Sequence, residues 1–203
     1  MVLGINFLAP KLSAERKNQF LQQSINSIKS DEVVFITLLK KRPYYETDAL
    51  DSVIRFGNPD SKIRLTVLSN PYCNPCAMVH KQIEELLKQV GNSISVQYIL
   101  SSFGENRNST NKFLIAACLT DKTATTIQII SDWFEKGRPL GDDYFKEWGL
   151  DIETPAVEVE FKKHEEWKKK SQLQATPTVL VNGYQLPESY SVEDLCYFTD
   201  FDL

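Results

Sequence analysis

The sequence predicts an α/β domain whose central mixed sheet is flanked by helices and carries two helical additions. A strand, a helix and a second strand follow one another between residues 62 and 100. Helical patterns alone then occupy residues 103–171, which we interpret as an inserted helical subdomain. Strand patterns return after it. We therefore divide the chain into an N-terminal helical extension, residues 1–47, and one domain, residues 48–203.

The composition is that of an ordinary globular protein. Hydrophobic residues make up 42% and charged residues 25% of the 203 positions, which are typical shares. A net charge of −4, without a broad basic region, argues against nucleic acid as a partner. The basic run Lys168–Lys170 is interpreted as a charged helix end, with contact to a membrane surface as the alternative.

The first nine residues are apolar, and two interpretations of them remain. Met1–Ala9 stops at Pro10 and has neither a basic beginning nor an obvious cleavage site, so it does not resemble a signal peptide. It is either a plain cytosolic N-terminus or the remnant of a membrane segment that was cut away. No stretch of the sequence is long enough and apolar enough to span a bilayer.

Two helices are predicted before residue 48. Ser13 can cap a helix that runs to about Lys29. Its apolar face comprises Phe20, Leu21, Ile25 and Ile28. Asp31 can cap a second, short helix that ends before Pro43. The β-branched residues of that segment make a strand the competing prediction.

Strands are predicted on both sides of one amphipathic helix. Val53–Phe56 is the first strand and ends at a Gly-Asn-Pro-Asp turn. Ile63–Leu68 and Ile94–Leu100 follow as strands with apolar alternation. The helix between them begins after Cys73 and carries apolar residues at helical spacing. A β-α-β unit with parallel strands is the simplest arrangement.

A Cys-x-x-Cys motif lies where the second strand leads into that helix, and this context indicates a redox site. If Cys73 is the N-cap, Cys76 is the third helical residue, and its N–H should point at the Cys73 sulfur. Pro75 lacks an N–H and suits the first turn. The positive end of the helix dipole also favours the thiolate of Cys73. Cys73 is thus the predicted nucleophile, and Cys76, one turn along and more buried, is the predicted resolving cysteine.

The remaining elements are predicted from the same patterns. Four helices fall in the insertion, at residues 111–119, 124–136, 142–148 and 155–170. Thr178–Val181 is a strand. Asn182-Gly183 between two apolar runs is a strong hairpin signal and leads into a strand at residues 184–186. Ser191 can cap a last helix, with an acidic residue at its third position.

Several short motifs together resemble a known superfamily. SNPYCNPC at the start of a helix, followed late in the chain by ATPT, an Asn-Gly hairpin and a final helix, resembles the thioredoxin superfamily. The helical insertion between the matching blocks, residues 53–90 and 175–198, is similar to that of the Dsb-type thiol–disulfide oxidoreductases. With FGNP and NGYQLPESYSVEDL, the chain also resembles the soluble thioredoxin-like domain of some bacterial vitamin K epoxide reductase family proteins.

The resemblance implies a thioredoxin-like fold and thiol–disulfide exchange on cysteine-containing protein substrates, without a metal or a bound organic cofactor. It implies that Cys73 attacks the substrate and that Cys76 resolves the mixed disulfide. Pro177 would be a cis-proline facing the two cysteines. Thr176 would offer its backbone to an extended substrate peptide.

The resemblance also implies a cellular setting. The domain would face the periplasm in a bacterial cell envelope, tethered to the membrane as part of a longer protein. Its redox partner there would be a membrane protein of the vitamin K epoxide reductase type. Nothing in these residues directs export, so a cytoplasmic location remains the alternative.

Three departures from thioredoxins change what is expected of the site. Tyr72 stands where they carry a tryptophan, and it is expected to shape the rim and help to bind the substrate. Val67 stands where they carry a buried acid, so proton transfer must follow another route, for which water is a candidate. The dipeptide Asn74-Pro75 contains no histidine, which argues against the most oxidising potentials and favours a reducing type of site.

Two other functions fit the same residues. The fold could serve as a binding or chaperone module whose cysteines are not turned over. The cysteine pair could also be half of a zinc site, but structural zinc generally needs a second close pair. Cys118 and Cys196 are solitary and are interpreted as structural. His80 is interpreted as a surface or satisfied histidine, with tuning of the thiolate as the alternative, and His164 as part of a solvated face.

Overall fold

A computed structural model of the chain confirms the predicted α/β fold with its helical additions. The structure describes residues 8–102, 108–120 and 125–199. Within these ranges, every helix is too short or too polar to cross a membrane. The predicted helix at residues 124–136 begins partly outside the described residues.

Five strands form one mixed sheet in the order β1-β3-β2-β4-β5. The adjacent strands β2 (Ile63–Ser69) and β3 (Ile94–Leu100) are parallel, as predicted. β1 (Arg55–Gly57) pairs antiparallel with β3. β4 (Thr178–Val181) pairs antiparallel with β2, and β5 (Tyr184–Gln185) forms the other edge. The cysteine motif therefore follows directly from the central strand.

Helices surround this sheet. The α-helices in the described ranges are α1 (Leu8–Lys29), α2 (Glu32–Lys40), α3 (Asn74–Val90), α4 (Asn108–Thr120), α5 (Thr126–Asp132) and α6 (Pro155–Ser171). A π-helical turn (Trp133–Gly137) follows α5 directly. Two predicted α-helices are 3₁₀-helical instead, at Gly141–Trp148 and Val192–Tyr197. Short segments of this kind gain their stability from tertiary packing, because they are too short to be stable alone.

Both predicted N-terminal helices are present. Asp31 caps α2, because its carboxylate accepts a hydrogen bond from the Val34 N–H at 3.0 Å. This segment is therefore a helix and not the competing strand. Much of the apolar face of α1 is exposed, with Phe20 at 69%. The end of α1 is joined to the domain by an ion pair between Lys29 and Asp194 at 2.7 Å.

The first residues of α1 and β1 differ from the predicted ones. α1 begins at Leu8, upstream of the predicted cap Ser13. β1 begins at Arg55 and not at Val53. The Val53 N–H donates to the carboxylate of Glu160 on α6, so this part of the backbone pairs with a helix side chain and not with the sheet.

The prediction that His164 belongs to a solvated face is wrong. The ring is fully buried. Its Nε2 lies 2.9 Å from the Ser52 hydroxyl, and its Nδ1 accepts from the Leu100 N–H at 3.3 Å. Burial raises the pKa of nearby Glu160, but hydrogen bonds from His164, a backbone N–H and a lysine outweigh burial and lower it overall. These contacts hold α6 against the sheet. They could not be predicted from the sequence, because the neighbours of His164 there are charged.

The predicted Asn-Gly hairpin joins β4 to β5. Asn182 has φ 48° and Gly183 has φ 88°, as a two-residue hairpin turn requires. A Cβ at Gly183 would lie 2.5 Å from the ring of Tyr44 and 2.7 Å from the carbonyl oxygen of Tyr45. Only glycine fits here without displacement of the neighbouring chain.

Candidate functional site

Two cysteines lie where β2 leads into α3. Cys73 is the N-cap of α3, as predicted, and Cys76 lies in the first turn. Cys73 is half-buried, whereas Cys76 is 1% exposed. Asn74 and Pro75 between them are exposed. A partner molecule can therefore reach the first sulfur but not the second.

The Cys73 sulfur differs in one contact from the prediction. Its side chain does not accept a capping hydrogen bond from the first turn of α3. Instead, the thiol donates to the carbonyl oxygen of Thr176 at 3.5 Å. Sulfur is a weak acceptor and a thiol is a weak donor. The Cys73 thiol therefore acts as a donor to the carbonyl across the site and not as an acceptor for the helix N–H.

Thr176 and Pro177 lie opposite the cysteines because β4 is antiparallel to β2. Thr178, the first residue of β4, pairs with Leu68 near the end of β2. The two residues before β4 are thereby placed beside the loop that carries Cys73. The Thr176–Pro177 peptide bond is cis, which confirms that prediction.

The thiol of Cys76 is held in its protonated form. Burial raises the pKa of this thiol, and a hydrogen bond from the Asn70 N–H lowers it by a smaller amount. The neighbouring Cys73 thiol raises the pKa further, and the result is a pKa of about 11. That N–H lies 3.4 Å from the Cys76 sulfur. Near neutral pH, Cys76 must lose a proton before its sulfur can act as a nucleophile.

Tyr72 is fixed by residues of the helical insertion. Its ring packs edge-on against Trp133, with centroids 5.5 Å apart. Its hydroxyl lies 2.7 Å from the Thr110 hydroxyl, which in turn donates to Asp142 at 2.7 Å. Since Thr110 uses its one hydrogen on Asp142, Tyr72 is the donor in the first contact. Trp133 also donates its indole N–H to the carbonyl oxygen of Pro71 at 2.9 Å.

Three of these residues, Thr110, Trp133 and Asp142, were not predicted as part of the site. All lie far from the cysteines in the sequence, within the insertion at residues 103–171, for which only helices were predicted. The tryptophans of the insertion were a visible signal, but their positions relative to the motif depend on tertiary packing. Trp133 supplies an indole behind Tyr72, whereas thioredoxins carry their tryptophan at that tyrosine's own position.

His80 is a satisfied core histidine. It is 2% exposed and lies one turn after Cys76 on the buried face of α3. Its Nδ1 is 2.8 Å from the Tyr98 hydroxyl, and its Nε2 is 2.9 Å from the Ser131 hydroxyl. Burial lowers the pKa of the imidazole to about 4, so the ring is neutral at physiological pH.

The buried His80 predicts an acid-sensitive fold. In the unfolded chain His80 becomes protonated below about pH 6.5, whereas in the folded chain its pKa is about 4. The free energy of unfolding should therefore fall as the pH drops across this window, by about 3 kcal/mol from this residue. Urea unfolding of the wild type and of His80→Gln at pH 7.5 and 4.5 measures the difference. An equal pH dependence in both proteins would contradict the prediction.

The described residues contain no cluster of three or more histidine, cysteine or acidic side chains arranged to hold a metal ion. Cys118 and Cys196 are half-buried and pack against the hydrophobic core, as expected of structural cysteines. Burial, followed by the charge of nearby Asp194, raises the pKa of Cys196.

Comparison with known proteins agrees with this geometry. A family model described as thioredoxin matches residues 50–200. No curated protein sequence is significantly similar to the chain. A linker-deletion variant of Proteus mirabilis ScsC is 16% identical, with 96% of this chain and 94% of that chain covered and a TM-score of 0.60.

Two further solved structures have the same fold. BdbD from Bacillus subtilis, in its oxidised form, is 16% identical over 76% of this chain and 94% of its own, with a TM-score of 0.61. The oxidoreductase DsbA from Xylella fastidiosa is 20% identical over 71% of this chain and 88% of its own, with a TM-score of 0.51. At these identities the similarity concerns the fold.

Proposed function

Because the chain belongs to the thioredoxin family, we propose that it catalyses thiol–disulfide exchange on cysteine-containing protein substrates. One observation carries the proposal: a reachable thiol at the N-terminus of α3 lies beside a buried one in the same helical turn. Cys73 is half-buried, and Cys76 is 1% exposed. This is the arrangement that a nucleophile and a resolving thiol require.

The exchange proceeds in two steps. The Cys73 thiolate attacks one sulfur of a substrate disulfide, the substrate S–S bond breaks, and its other sulfur leaves as a thiolate. Cys76 then loses its proton and attacks the Cys73 sulfur. The mixed disulfide breaks, the substrate leaves with both thiols reduced, and the protein holds a Cys73–Cys76 disulfide. Two electrons have passed to the substrate, and the reverse sequence oxidises a dithiol substrate.

Tyr72, Thr176 and Pro177 are the proposed substrate-binding residues. An extended peptide would lie along Thr176 and pair with its backbone, in the manner of an added strand. A groove beside Pro177 is lined by apolar residues such as Val79 and Leu186 and by polar ones such as Gln82, so it can receive side chains of either kind from such a peptide. Tyr72 directly precedes Cys73 and is held in place by the insertion.

The motif dipeptide supports a reducing direction. Asn74-Pro75 has no histidine to stabilise the thiolate further, and such stabilisation is what makes a site strongly oxidising. Thiol trapping after equilibration in glutathione buffers would give the potential. A value near the roughly −270 mV of thioredoxin would mark a reductant, and a value near −120 mV, as in DsbA, an oxidant.

The domain division, the location and the redox partner are further parts of the proposal. Residues 1–47 form the helical extension, and residues 48–203 form the catalytic domain with its insertion at 103–171. The sequence resemblance to vitamin K epoxide reductase family proteins supports a periplasm-facing domain in the bacterial envelope. It also supports a membrane partner of that family, which would exchange disulfides with Cys73.

Reduction of insulin, driven by dithiothreitol, tests the proposed function. The wild-type protein should accelerate precipitation of the insulin B chain at catalytic concentrations. A binding or chaperone module would instead act only in proportion to its own amount, with no turnover. Stoichiometric behaviour of the wild type would therefore overturn the proposal, as would the absence of any effect in both this assay and the refolding of a reduced substrate.

A further inference from the structure

A continuous chain of hydrogen bonds leads from the core beneath the site to the protein surface. It begins at the hydroxyl of Tyr98 on β3, which is 1% exposed and lies 2.8 Å from Nδ1 of His80. On the other side of the ring, Nε2 lies 2.9 Å from the hydroxyl of Ser131 on α5. Ser131 donates to the carboxylate of Glu84 at 2.5 Å. Glu84 is partly exposed, so the chain ends at solvent.

The resolving cysteine lies one helical turn from the histidine of this chain of hydrogen bonds. His80 follows Cys76 by one helical turn, and both side chains are buried on the same face of α3. Tyr98 belongs to the same hydrophobic cluster as Cys76. Burial raises the pKa of Tyr98 well above its ordinary value, and a charge on the Cys76 sulfur raises it further. Residues four apart on a helix are neighbours, so the Cys76 side chain lies next to that of His80, within the core cluster that also contains Tyr98.

The resolving step needs a route for a proton. Cys76 holds its proton up to a pKa of about 11, yet its sulfur must lose that proton to attack Cys73. Thioredoxins carry a buried acid where this chain has Val67, and Val67 is a fully apolar part of the core. The side chain at that position can neither accept nor release a proton.

Resting on the proposed function, we propose that Tyr98, His80, Ser131 and Glu84 carry the proton of Cys76 between the buried site and solvent. The Cys76 proton passes to the Tyr98 oxygen as Tyr98 passes its own proton to Nδ1 of His80. The proton on Nε2 moves to Ser131, whose proton moves to Glu84. The Cys76 thiolate then attacks Cys73, the bond to the substrate sulfur breaks, and the substrate leaves as a thiolate.

The chain returns to its starting state within one catalytic cycle. When the Cys73–Cys76 disulfide is reduced again, Cys76 regains a proton, and the same transfers run inward. His80 therefore changes tautomer and changes back, and it does not need to become charged. A ring that resists protonation until about pH 4 suits this role.

The surroundings of His80 keep it neutral. The titratable groups that face it are Cys76 and Glu84 from its own helix and Tyr98 from β3. β1 contributes the ring of Phe56, and the π-helical turn contributes the ring of Phe134, at centroid distances of 6.4 and 5.4 Å. Ser131 separates the imidazole from the Glu84 carboxylate, so both ring nitrogens contact hydroxyl groups.

Ser131→Ala breaks the chain at its outer link without removing a buried ring. The matched control is Ser24→Ala, because each serine hydroxyl also lies within hydrogen-bond distance of the carbonyl oxygen four residues earlier in its own helix. Both changes are made in a protein that lacks Cys118 and Cys196. Reaction with 5,5′-dithiobis(2-nitrobenzoate), followed by stopped-flow absorbance, then reports two releases of nitrothiobenzoate. Cys73 causes the first release, and the attack of Cys76 on the mixed disulfide causes the second.

We expect Ser131→Ala to leave the first phase unchanged and to slow the second at least tenfold at pH 7, which is a modest effect for proton transfer by a positioned group. Ser24→Ala should remain within about twofold of the parent in both phases. Above pH 9 the deficit of Ser131→Ala should shrink, because hydroxide can take the Cys76 proton directly. Tyr98→Phe, which keeps the ring, should reproduce this pH profile.

Two results would overturn the inference. Equal second phases in Ser131→Ala and the parent at pH 7 would show that the proton leaves by another route. A deficit of the same size at every pH would show a structural role. A parent protein with no second phase at all would overturn the proposed function itself, so the two failures are distinguishable.

Discussion

Replacement of Cys73 by serine should abolish catalysed insulin reduction, with a loss of at least about 1000-fold. The serine hydroxyl is not ionised near neutral pH, so it cannot replace the thiolate as the nucleophile. Cys76 cannot take over the first step, because its side chain is only 1% exposed. Its pKa is also raised to about 11, mainly by burial. The turnover rate at a fixed dithiothreitol concentration measures the effect.

The two remaining cysteines provide matched controls for this change. Cys118→Ser and Cys196→Ser alter half-buried thiols that pack against the core, and activity should stay within about twofold of the wild type. Thermal unfolding of each variant separates loss of chemistry from loss of fold. Residual turnover above one tenth in Cys73→Ser would show that another thiol starts the exchange.

Replacement of Cys76 by serine should have the second large effect, which is to trap the substrate on Cys73. Attack by a neighbouring thiol is intramolecular and therefore fast. Without that thiol the mixed disulfide must wait for a thiol from solution, so its lifetime should increase at least about 100-fold. Incubation with a disulfide-containing substrate, acid quenching and intact-mass measurement would reveal the covalent complex.

The complex trapped by Cys76→Ser should contain one substrate per protein, linked through Cys73. Addition of dithiothreitol should release it. The wild-type protein, treated identically, should show little complex and a Cys73–Cys76 disulfide instead. If the variant accumulated no adduct while it still reduced insulin at the wild-type rate, Cys76 would not be the resolving thiol.

The local patterns were enough to predict the half of the candidate site that carries the two cysteines. The Cys73–Cys76 spacing lies within one segment that runs from strand to helix, where side-chain periodicity and helix-start signals act over a few residues. The Asn182-Gly183 turn was equally predictable, because both residues need positive φ. The position of Pro177 opposite the cysteines was predicted from the family resemblance and not from residue patterns.

The contacts made by the insertion were not predictable in this way. Tyr72 meets Trp133 and Thr110 only after the insertion has packed beside α3, and no local pattern encodes that packing. Burial of a polar residue was a second source of error. His164 lies among charged residues in the sequence, yet it is fully buried because Ser52 and the Leu100 N–H provide hydrogen-bond partners.

The rule for helix starts predicted the position of Cys73 but not its hydrogen bond. The rule placed Cys73 correctly as the N-cap of α3. It did not anticipate that the carbonyl oxygen of Thr176, distant in sequence, would take the thiol contact. A capping rule considers only the helix itself, whereas the site is completed from the other side by the segment before β4.

Selective alkylation of Cys73 tests the central claim most directly. The reduced protein is treated with a small excess of iodoacetamide, and each modified cysteine is identified by peptide mass over time. We expect Cys73 to be modified first, while the buried Cys76 stays unmodified. Modification of Cys76 before Cys73, or of both at the same rate, would contradict the assignment of Cys73 as the nucleophile.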